Sequence, residues 1–497
     1  FTKVTSVLAE DGNEDYRTEL QEAVVEVDEE LMEKFLETME LSDEELASAL
    51  PKAMAQGSVY PLFYTSATQC IGIEEMFDFI NQYFPTLTDK PAMTAKDKKG
   101  EDVEFQPGGE GGMVSQVFRI QTDPFVGKLA YFRVMRGEIE VEKTYYESSS
   151  ESTFKLANLY MPQGKDKKAI EKAVAGDICV VTRIEALSIS STICDSNDIV
   201  VLPKPEYPTP MVSLAMEPKS RGGEQKISTA VMKAKEEDPT FDSERTQSTN
   251  ELVIFGMGEL HLEIIRSRMK RRFDVEVTTR LPKIPYLETI TGKANSHYRH
   301  KKQTGGAGQF GEVYVKVEPN ERGEGLEFVD EIVGGVIPRQ FIPSVEKGIV
   351  ECMSQGILAG FPVVDIIVRL YDGKYHPVDS KEIAFKIAGR SAFQDAFMKA
   401  KPTLMEPVYK ISIFVPDRCL GDVTGDLTGR RGRIMGMDTF QDMQVINATV
   451  PLSEIQRYAT ELRSTTQGEG YYEAEFSHYD VVPSNIAEGI IARAKEA

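Results

Sequence analysis

The sequence predicts a multidomain α+β protein: an acidic helical region, a β-barrel, and two ferredoxin-like domains that flank an elongated α/β domain. Three observations support this fold class. Apolar residues recur at helical spacing near the start, alternate with polar residues over 111–202, and follow the order β-α-β-β-α-β twice after residue 205. The 497 residues suffice for about three to five domains, because single hydrophobic cores seldom grow past a few hundred residues.

The acidic helical region comes first. Residues 14–40 are predicted to form an amphipathic helix, with these apolar residues on one side: Leu20, Val24, Val27, Leu31, Phe35 and Met39. Ser42 and Glu45 form a capping box, which predicts a second helix directly after Ser42. Three more elements are expected here: a short strand over 60–64, a loop over 65–72 and a helix over 73–84.

The next region is predicted to be a β-barrel. Short stretches with alternating apolar residues follow one another, separated by turn residues: VSQVFRI, KLAYFRVMRGEIE, TFKLANLYM, DICVVTRIEA and NDIVVL. Their even spacing is typical of a barrel built from short strands. The proline-rich segment 203–210, PKPEYPTP, then indicates a linker and a domain boundary.

Two later segments share one layout. Residues 211–282 and 408–481 both predict strand, helix, strand pair, helix and strand, which is the ferredoxin-like order. The expected helices are 225–238 and 260–273 in the first segment, and 421–430 and 454–462 in the second. Between them, LEFVDEIV and VVDIIVRL flank a predicted helix over 344–356, which indicates parallel strands joined by a right-handed crossover.

Charge and cysteine content narrow the class of protein. The net charge is -22, but residues 1–95 hold 20 acidic and 5 basic side chains, so the rest of the chain carries only -7. Basic clusters at 266–272, 299–302 and 430–433 are candidate phosphate contacts, or else solvated helix faces. Five widely spaced cysteines argue against disulfides and a zinc site, and are expected to be buried thiols. We see no membrane span or signal peptide and expect a cytoplasmic protein.

Two short motifs are misleading when taken alone. The glycines of 305–311, GGAGQFG, resemble a kinase nucleotide loop, but no catalytic-loop, metal-binding or β3-lysine motif of kinases occurs. We therefore predict a tight glycine turn between two strands. His261 and Glu263 form an H-x-E pair without the Pro-Cys-x-x-Cys partner of zinc deaminases, so 257–259 are expected to cap the following helix.

Six long stretches resemble elongation factor G, the bacterial translocation GTPase. They are FGMGELHLEII (255–265), IVGGVIPRQFIPSVEKGI (332–349), GFPVVDI (360–366), YDGKYHPVDSKEIAFKIAG (371–389), GDVTGDLTGRRGRI (421–434) and YATELRSTTQG (458–468). The resemblance extends from about residue 14 to residue 497. It implies five parts: an acidic insert with the GTPase-domain tail (1–95), a β-barrel domain II (96–205), a ferredoxin-like domain III (206–282), an elongated domain IV (283–402, with the C-terminal helix 482–497 nearby) and a ferredoxin-like domain V (403–481).

The resemblance also implies GTP and Mg as cofactors of the parent protein. No G-x-x-x-x-G-K-[ST] phosphate loop occurs in these 497 residues, so we assign no catalytic residue and no metal site to them. The loop Thr65, Ser66 and Ala67 matches the family's last guanine-contacting loop. Without a phosphate cradle, this chain by itself is expected neither to bind GTP tightly nor to hydrolyse it. Micromolar or tighter binding in a calorimetric titration would contradict that expectation.

In the family, two loops at the tip of domain IV reach the decoding centre and touch the transfer RNA-messenger RNA duplex. The matching residues here are Gln303, Thr304, Gly305, Gly306 and Gln309 in one loop, and Lys374, Tyr375 and His376 in the other. Small residues let a backbone approach the shallow minor groove of RNA. Asp372-Gly373 is expected to form a hairpin turn in the second loop. The sequence departs from many family members at Ala307, where they carry arginine.

Further partners follow from the resemblance. Arg430, Arg431 and Arg433 correspond to a stretch that faces ribosomal RNA of the large subunit, and the acidic segment 26–37 corresponds to a part that meets the stalk proteins. A merely solvated face is the alternative for both. The implied function is part of a ribosomal translocation factor that contacts both subunits and is a monomer off the ribosome. The alternative is a paralogue that binds the ribosome in recycling or protection without GTPase activity.

Overall fold

The computed structural model describes residues 14–27, 29–123, 125–219, 223–246, 248–302 and 308–496. The chain divides into two compact units, Phe1–Tyr207 with Glu236–Pro239, and Pro208–Lys235 with Thr240–Ala497. Among the described residues, no helix is both long enough and apolar enough to cross a membrane.

The first unit begins with four helices: α1 (Glu14–Val25), α2 (Glu29–Thr38), α3 (Asp43–Gln56) and α4 (Ile73–Tyr83). The single helix predicted over 14–40 is therefore two helices. The capping box is confirmed, because Ser42 accepts a hydrogen bond from the backbone of Glu45 and the Glu45 carboxylate accepts one from the backbone of Ser42. Leu20 and Val24 of α1 pack against Leu46 and Leu50 of α3 in a small core.

The strand predicted over 60–64 is wrong. These residues form no strand, and Tyr60 and Tyr64 are about four-fifths exposed, at 81% and 79%. A strand needs a neighbour to pair its backbone groups, and none lies beside this segment in the part of the chain that the structure describes. Cys70 in the following loop is exposed, which corrects the expectation of a buried thiol; the other four cysteines are buried.

A β-rich domain completes the first unit. Its strands are β1 (Met93–Asp97), β2 (Asp102–Phe105), β3 (Val114–Asp123), β4 (Gly127–Arg136), β5 (Glu138–Glu140), β6 (Thr144–Glu147), β7 (Ser152–Lys155), β8 (Leu159–Gln163), β9 (Asp166–Ile170), β10 (Lys172–Val174), β11 (Ile178–Thr182), β12 (Thr192–Asp195) and β13 (Val200–Val201). Eight of them pair antiparallel in the order β7-β6-β12-β3-β4-β11-β8-β9, an open ladder over the described residues. Phe132, Ile139 and Leu159 are among the core residues.

The first ferredoxin-like domain opens the second unit. Its elements are β14 (Val212–Pro218), α5 (Glu224–Glu237), β15 (Asp242–Thr246), β16 (Glu251–Gly256), α6 (Glu259–Phe273) and β17 (Val277–Arg280). The sheet order β15-β16-β14-β17 places the first and third strands in the centre. This arrangement confirms the predicted β-α-β-β-α-β layout.

The elongated domain follows. Its elements are β18 (Leu287–Ile290), β19 (Ala294–Lys302), β20 (Gln309–Pro319), β21 (Leu326–Asp330), α7 (Ile342–Gln355), β22 (Ile366–Lys374) and α8 (Glu382–Lys399). The sheet order is β19-β20-β22-β21, and β21 pairs parallel with β22, as the sequence predicted. Val313, Val315 and Val317 of β20 share one core with α7 and α8, so both helices cover the same face of the sheet.

The second ferredoxin-like domain repeats the first. Its elements are β23 (Pro402–Pro416), α9 (Leu420–Gly429), β24 (Arg433–Phe440), β25 (Met443–Pro451), α10 (Leu452–Ile455), α11 (Tyr458–Thr465) and β26 (Tyr471–Val481). Strand β23 lies between β25 and β26, and β24 is at the edge. Helix α12 (Ser484–Glu496) ends the chain and packs near Leu404, Tyr286 and Phe361. Short 3-10 helices cover Leu87–Asp89, Arg339–Phe341 and Asp417–Cys419.

Candidate nucleic-acid interface

The hairpin β19–β20 ends in the predicted glycine-rich loop. Nine antiparallel residue pairs connect the strands, from Ala294 with Val317 to Lys302 with Gln309. Lys302 and Gln309 therefore lie together at one end of this strand pair. Its predicted contacts Gln303, Thr304, Gly305 and Gly306, together with Ala307, lie outside the described residues, so their RNA contact stays a prediction.

Gln309 is the one predicted RNA contact of this loop that lies within the described residues. Its side chain is partly buried, and its amide oxygen lies 3.1 Å from Nε2 of His300 across the hairpin. This hydrogen bond joins the two strands near the end of their paired region. Gln309 thus supports the loop from the strand side, while its predicted RNA contact is untested.

The second predicted loop follows β22. Lys374 is the last residue of the strand, and Tyr375 and His376 are exposed in the connection to α8. The expected hairpin turn at Asp372-Gly373 is wrong, because both residues are paired in β22 with β20. Gly373 serves close packing instead: a Cβ there would come within 2.5 Å of the carbonyl oxygen of Glu312.

The two loops lie side by side. The Phe310 amide donates to the carbonyl oxygen of Asp379 at 2.9 Å, and the Ser380 hydroxyl donates to the carbonyl oxygen of Phe310 at 3.0 Å. A Cβ on Gly308 would stand 2.8 Å from the Asp379 carboxylate, so a larger residue there would displace that side chain. We call the described residues of these two segments, 308–310 and 374–380, the tip.

His376 is positioned by its own turn. Its Nδ1 accepts hydrogen bonds from the amides of Val378 at 3.3 Å and Asp379 at 3.2 Å, and its amide donates to the Ser380 hydroxyl at 2.8 Å. These contacts place the proton of the neutral ring on Nε2. The side chain is half exposed, and its ring centre lies 6.2 Å from that of Phe310. The tip therefore presents an imidazole N–H donor to solvent.

Cations surround the tip. Lys301 and Lys302 end β19, Lys374 ends β22, and all three are exposed. The Arg299 guanidinium lies over the Phe310 ring at 5.2 Å. Exposed lysines and arginines contact phosphates without sequence preference. The tip combines such cations with a narrow backbone and one imidazole donor.

The arginines 430 and 431 do not form the expected basic face. Their partners are acidic side chains of the same domain: Asp426 and Glu461 for Arg430, Glu406 and Glu454 for Arg431. Arg430 also lies over the Tyr458 ring at 5.0 Å. Arg433 is exposed, and no described residue forms an ion pair with it. The prediction of RNA contact therefore stays open, and Arg433 is the cation best placed for it.

The guanine-loop residues lie in the first unit. Thr65 and Ala67 are exposed, and Ser66 forms an antiparallel bridge with Ile71 that closes the loop. Gly72 has a φ of 71°, and a Cβ there would lie 2.6 Å from the carbonyl oxygen of Tyr64. The structure thus shows a closed loop before α4, and the assignment to guanine binding stays a prediction.

His261 caps a helix. Its Nδ1 accepts a hydrogen bond from the Met257 amide at 3.1 Å, just before α6 begins. This geometry agrees with a cap at 257–259. Over the described residues, the structure shows no group of three or more histidine, cysteine or acidic side chains suited to a metal ion.

Sequence reasoning missed the contact between Phe310 and the loop of His376. It also missed a row of aromatic rings on the exposed face of the same sheet, formed by His297, Tyr314 and Tyr371. The alternation of His297, Arg299 and Lys301 along β19 was a signal for it, since side chains two apart lie on one face.

Comparisons with known proteins cover most of the chain. Four family models match consecutive segments: Elongation factor G domain 2 over 113–196, Elongation Factor G, domain III over 207–281, Elongation factor G, domain IV over 282–401, and Elongation factor G C-terminus over 403–490. A crystal structure of a protein from Thermus thermophilus is 36% identical, with a TM-score of 0.72. The match covers 97% of this chain and 70% of that chain.

Proposed function

Since the chain belongs to the elongation factor G family, we propose that it is part of a translocation factor that moves transfer RNA and messenger RNA through the ribosome. The family itself acts in the elongation phase of protein synthesis. In the whole protein, GTP with Mg would drive the step. The translocation role is our proposal, and the tip supplies the observation that supports it.

The geometry of the tip suits an RNA duplex. Glycine at 308 leaves room for the Asp379 carboxylate of the second segment, so the two segments lie close together. Lys301, Lys302 and Lys374 can meet phosphates, and the Nε2–H of His376 can donate to a 2′-hydroxyl or a phosphate oxygen. Such contacts read the shape of the shallow minor groove rather than its sequence. A translocation factor needs that property because every codon must be moved.

The acidic part at the start of the chain is proposed to be the end of a GTPase domain. Apolar side chains that a complete domain would cover are exposed there: Tyr60, Leu62, Tyr64, Ile71 and Phe77. Thr65, Ser66 and Ala67 would then contact guanine. We propose the stalk proteins as partners of the acidic segment 26–37, which includes most of α2, because its charge is strongly negative.

Other partners complete the proposal. Arg433 would meet ribosomal RNA of the large subunit, and the tip would meet the small subunit. We propose a cytoplasmic protein that is monomeric when not bound to the ribosome, since translation takes place there and each ribosome offers one factor site.

Substitution of His376 tests this function. In the complete protein, His376→Ala is expected to slow single-turnover translocation about 10- to 100-fold, the effect of losing one hydrogen bond to a charged or polar RNA group. Ribosome-stimulated GTP hydrolysis should stay nearly intact, because the substitution lies at the tip and not at the nucleotide. The measurement is rapid mixing with fluorescent transfer RNA, run beside GTP hydrolysis.

His478→Ala is the matched control, because His478 is also exposed but lies on β26 of another domain. It should translocate at the wild-type rate. An unchanged rate for His376→Ala would contradict the role of the tip. A complete wild-type protein that splits or protects ribosomes but does not move transfer RNA would favour the recycling or protection alternative.

A further inference from the structure

The sheet of the elongated domain has two different faces. Helices α7 and α8 cover one face, with Val313, Val315 and Val317 pointing into the shared core. Side chains of a strand alternate between faces, so the residues between these valines point the other way. On β20 these residues are Tyr314, which is half-buried, and Lys316, which is exposed.

A row of aromatic rings crosses this second face. His297 of β19 is paired with Tyr314 of β20, and their rings stack with centres 4.9 Å apart and an angle of 13°. Tyr371 sits at an irregularity of β22 and meets Tyr314 edge-on at 6.1 Å. The Tyr314 hydroxyl donates to the Glu312 carboxylate at 3.1 Å, which holds the central ring in place and raises the pKa of Tyr314.

Cations flank the aromatic row on both sides. Arg299 and Lys374 lie toward the tip, while Lys316 and Arg369 lie on the other side. Arg299, Lys316 and Arg369 each lie two residues along the strand from the ring of their own strand, which is about 7 Å, and Lys374 lies three residues from Tyr371. A phosphate on each side of a stacked base can meet cations at that spacing.

Two acids of this face, Glu312 and Glu318, lie beneath cations. The Glu312 side chain is 7% exposed against 56% for its neighbour Arg299, and the Glu318 side chain is 12% exposed against 47% for its partner Lys316. Asp372 is exposed at the edge, where its carboxylate accepts a hydrogen bond from the Gly373 amide. Arg369 differs, because its partner Glu331 at 3.0 Å is the more exposed of the two side chains, at 44% against 29%. Arg299 and Lys316 are therefore the cations that stand outside their acidic partners and can attract a polyanion.

We propose that this face, formed by His297, Tyr314 and Tyr371 with the flanking cations, binds single-stranded RNA by stacking unpaired bases on the aromatic row. An open sheet with aromatic rings between basic side chains is a platform that RNA-binding domains use. The face continues along β19 into Lys301 at the tip. RNA held at the tip would thus continue onto the sheet, and the inference rests on the proposed RNA contact of this domain.

The test measures RNA binding by the 497-residue chain directly. The probe is a fluorescein-labelled oligouridine of about twelve nucleotides, followed by fluorescence anisotropy at about 50 mM salt. His297→Ala with Tyr371→Ala is expected to weaken binding about 5- to 100-fold. Both side chains are exposed, so the double variant should keep its fold. His297→Ala alone is a second, milder variant. An unchanged circular dichroism spectrum and melting temperature would show that both variants are folded.

Tyr298→Ala is the matched control. Tyr298 is the next residue on β19, is 41% exposed and points to the opposite face of the sheet. It should bind RNA within about twofold of wild type.

Lys316→Ala should lower the slope of log affinity against log salt concentration by about 0.7, the effect of one lost phosphate contact to a single strand.

The proposal would be overturned by an absence of RNA binding in the wild-type chain, by full affinity in the double variant, or by an equal loss in Tyr298→Ala. Preference for an acidic peptide over the RNA would also overturn it. These results are distinct from a failure of the proposed translocation role, which would appear as an unchanged translocation rate in His376→Ala. If the aromatic face binds RNA but the complete protein does not move transfer RNA, the proposed function is wrong and this inference still holds.

Discussion

Replacing Arg431 with alanine is expected to lower the free energy of unfolding of the second ferredoxin-like domain by about 3–5 kcal/mol. The reason is Glu406, whose side chain is 3% exposed and accepts hydrogen bonds from both terminal nitrogens of Arg431. Removing the cation alone leaves this carboxylate buried with the Ser453 hydroxyl as its remaining described donor. Desolvation of an unpaired carboxylate then destabilises the folded state.

The loss can be measured by urea unfolding followed by circular dichroism, because the chain has no tryptophan to report by fluorescence. Hydrogen exchange of amides in β23 and β25 should locate the loss, since a multidomain chain need not unfold in one step. Faster exchange is expected in these strands and not in the β-rich domain. This pattern ties the effect to Glu406 on β23.

Arg433→Ala is the control for Arg431→Ala. Arg433 is two residues away and exposed, so its removal should change stability by no more than about 0.5 kcal/mol. A double variant, Arg431→Met with Glu406→Leu, should recover most of the loss because no charge stays buried. An Arg431→Ala loss as small as that of Arg433→Ala would show that the ion pair does not stabilise the domain.

Gly348→Ala is expected to destabilise the elongated domain by about 1–3 kcal/mol. Gly348 lies where α7 meets α8, and a Cβ there would collide with the carbonyl oxygen of Lys386 and stand 3.0 Å from its carbonyl carbon. Gly389 makes the reciprocal approach, with a Cβ position 2.8 Å from the carbonyl oxygen of Val345. Both obstacles are backbone atoms, so the helices must move apart. Thermal unfolding and hydrogen exchange of α7 and α8 measure the effect.

Gly425→Ala is the same chemical change, but it is expected to raise the stability of its domain. Gly425 lies inside α9, and nothing stands within 4 Å of its Cβ position. Alanine should therefore stabilise that helix by about 0.5–1 kcal/mol, because it lowers the entropy of the unfolded chain. A gain for Gly348→Ala as well would show that α7 and α8 can separate without cost.

Local patterns in the sequence were enough to predict much of the fold. The capping box of Ser42 and Glu45 places the start of α3, because both hydrogen bonds lie within four residues. The two β-α-β-β-α-β segments follow from hydrophobic periodicity in the same way. The antiparallel strands β19 and β20 on the two sides of the glycine-rich stretch were also predictable.

Features that depend on a neighbour in space were predicted poorly. Residues 60–64 have the composition of a strand, but the described chain provides nothing for them to pair with. Asp372-Gly373 has the composition of a turn, yet it continues β22 because β20 is there to pair with it. Composition describes what a segment can form, and the backbone partner decides whether it does.

The sequence by itself determined the order of domains, most helices and the position of the tip, because these depend on signals a few residues long. Only the tertiary structure decided which arginine of 430–433 faces solvent, and that His297, Tyr314 and Tyr371 form one row. The acids that neutralise Arg431 lie more than twenty residues away, and the three rings come from three strands. Ion pairs and strand register join residues that are distant in the chain, so patterns a few residues long do not determine them.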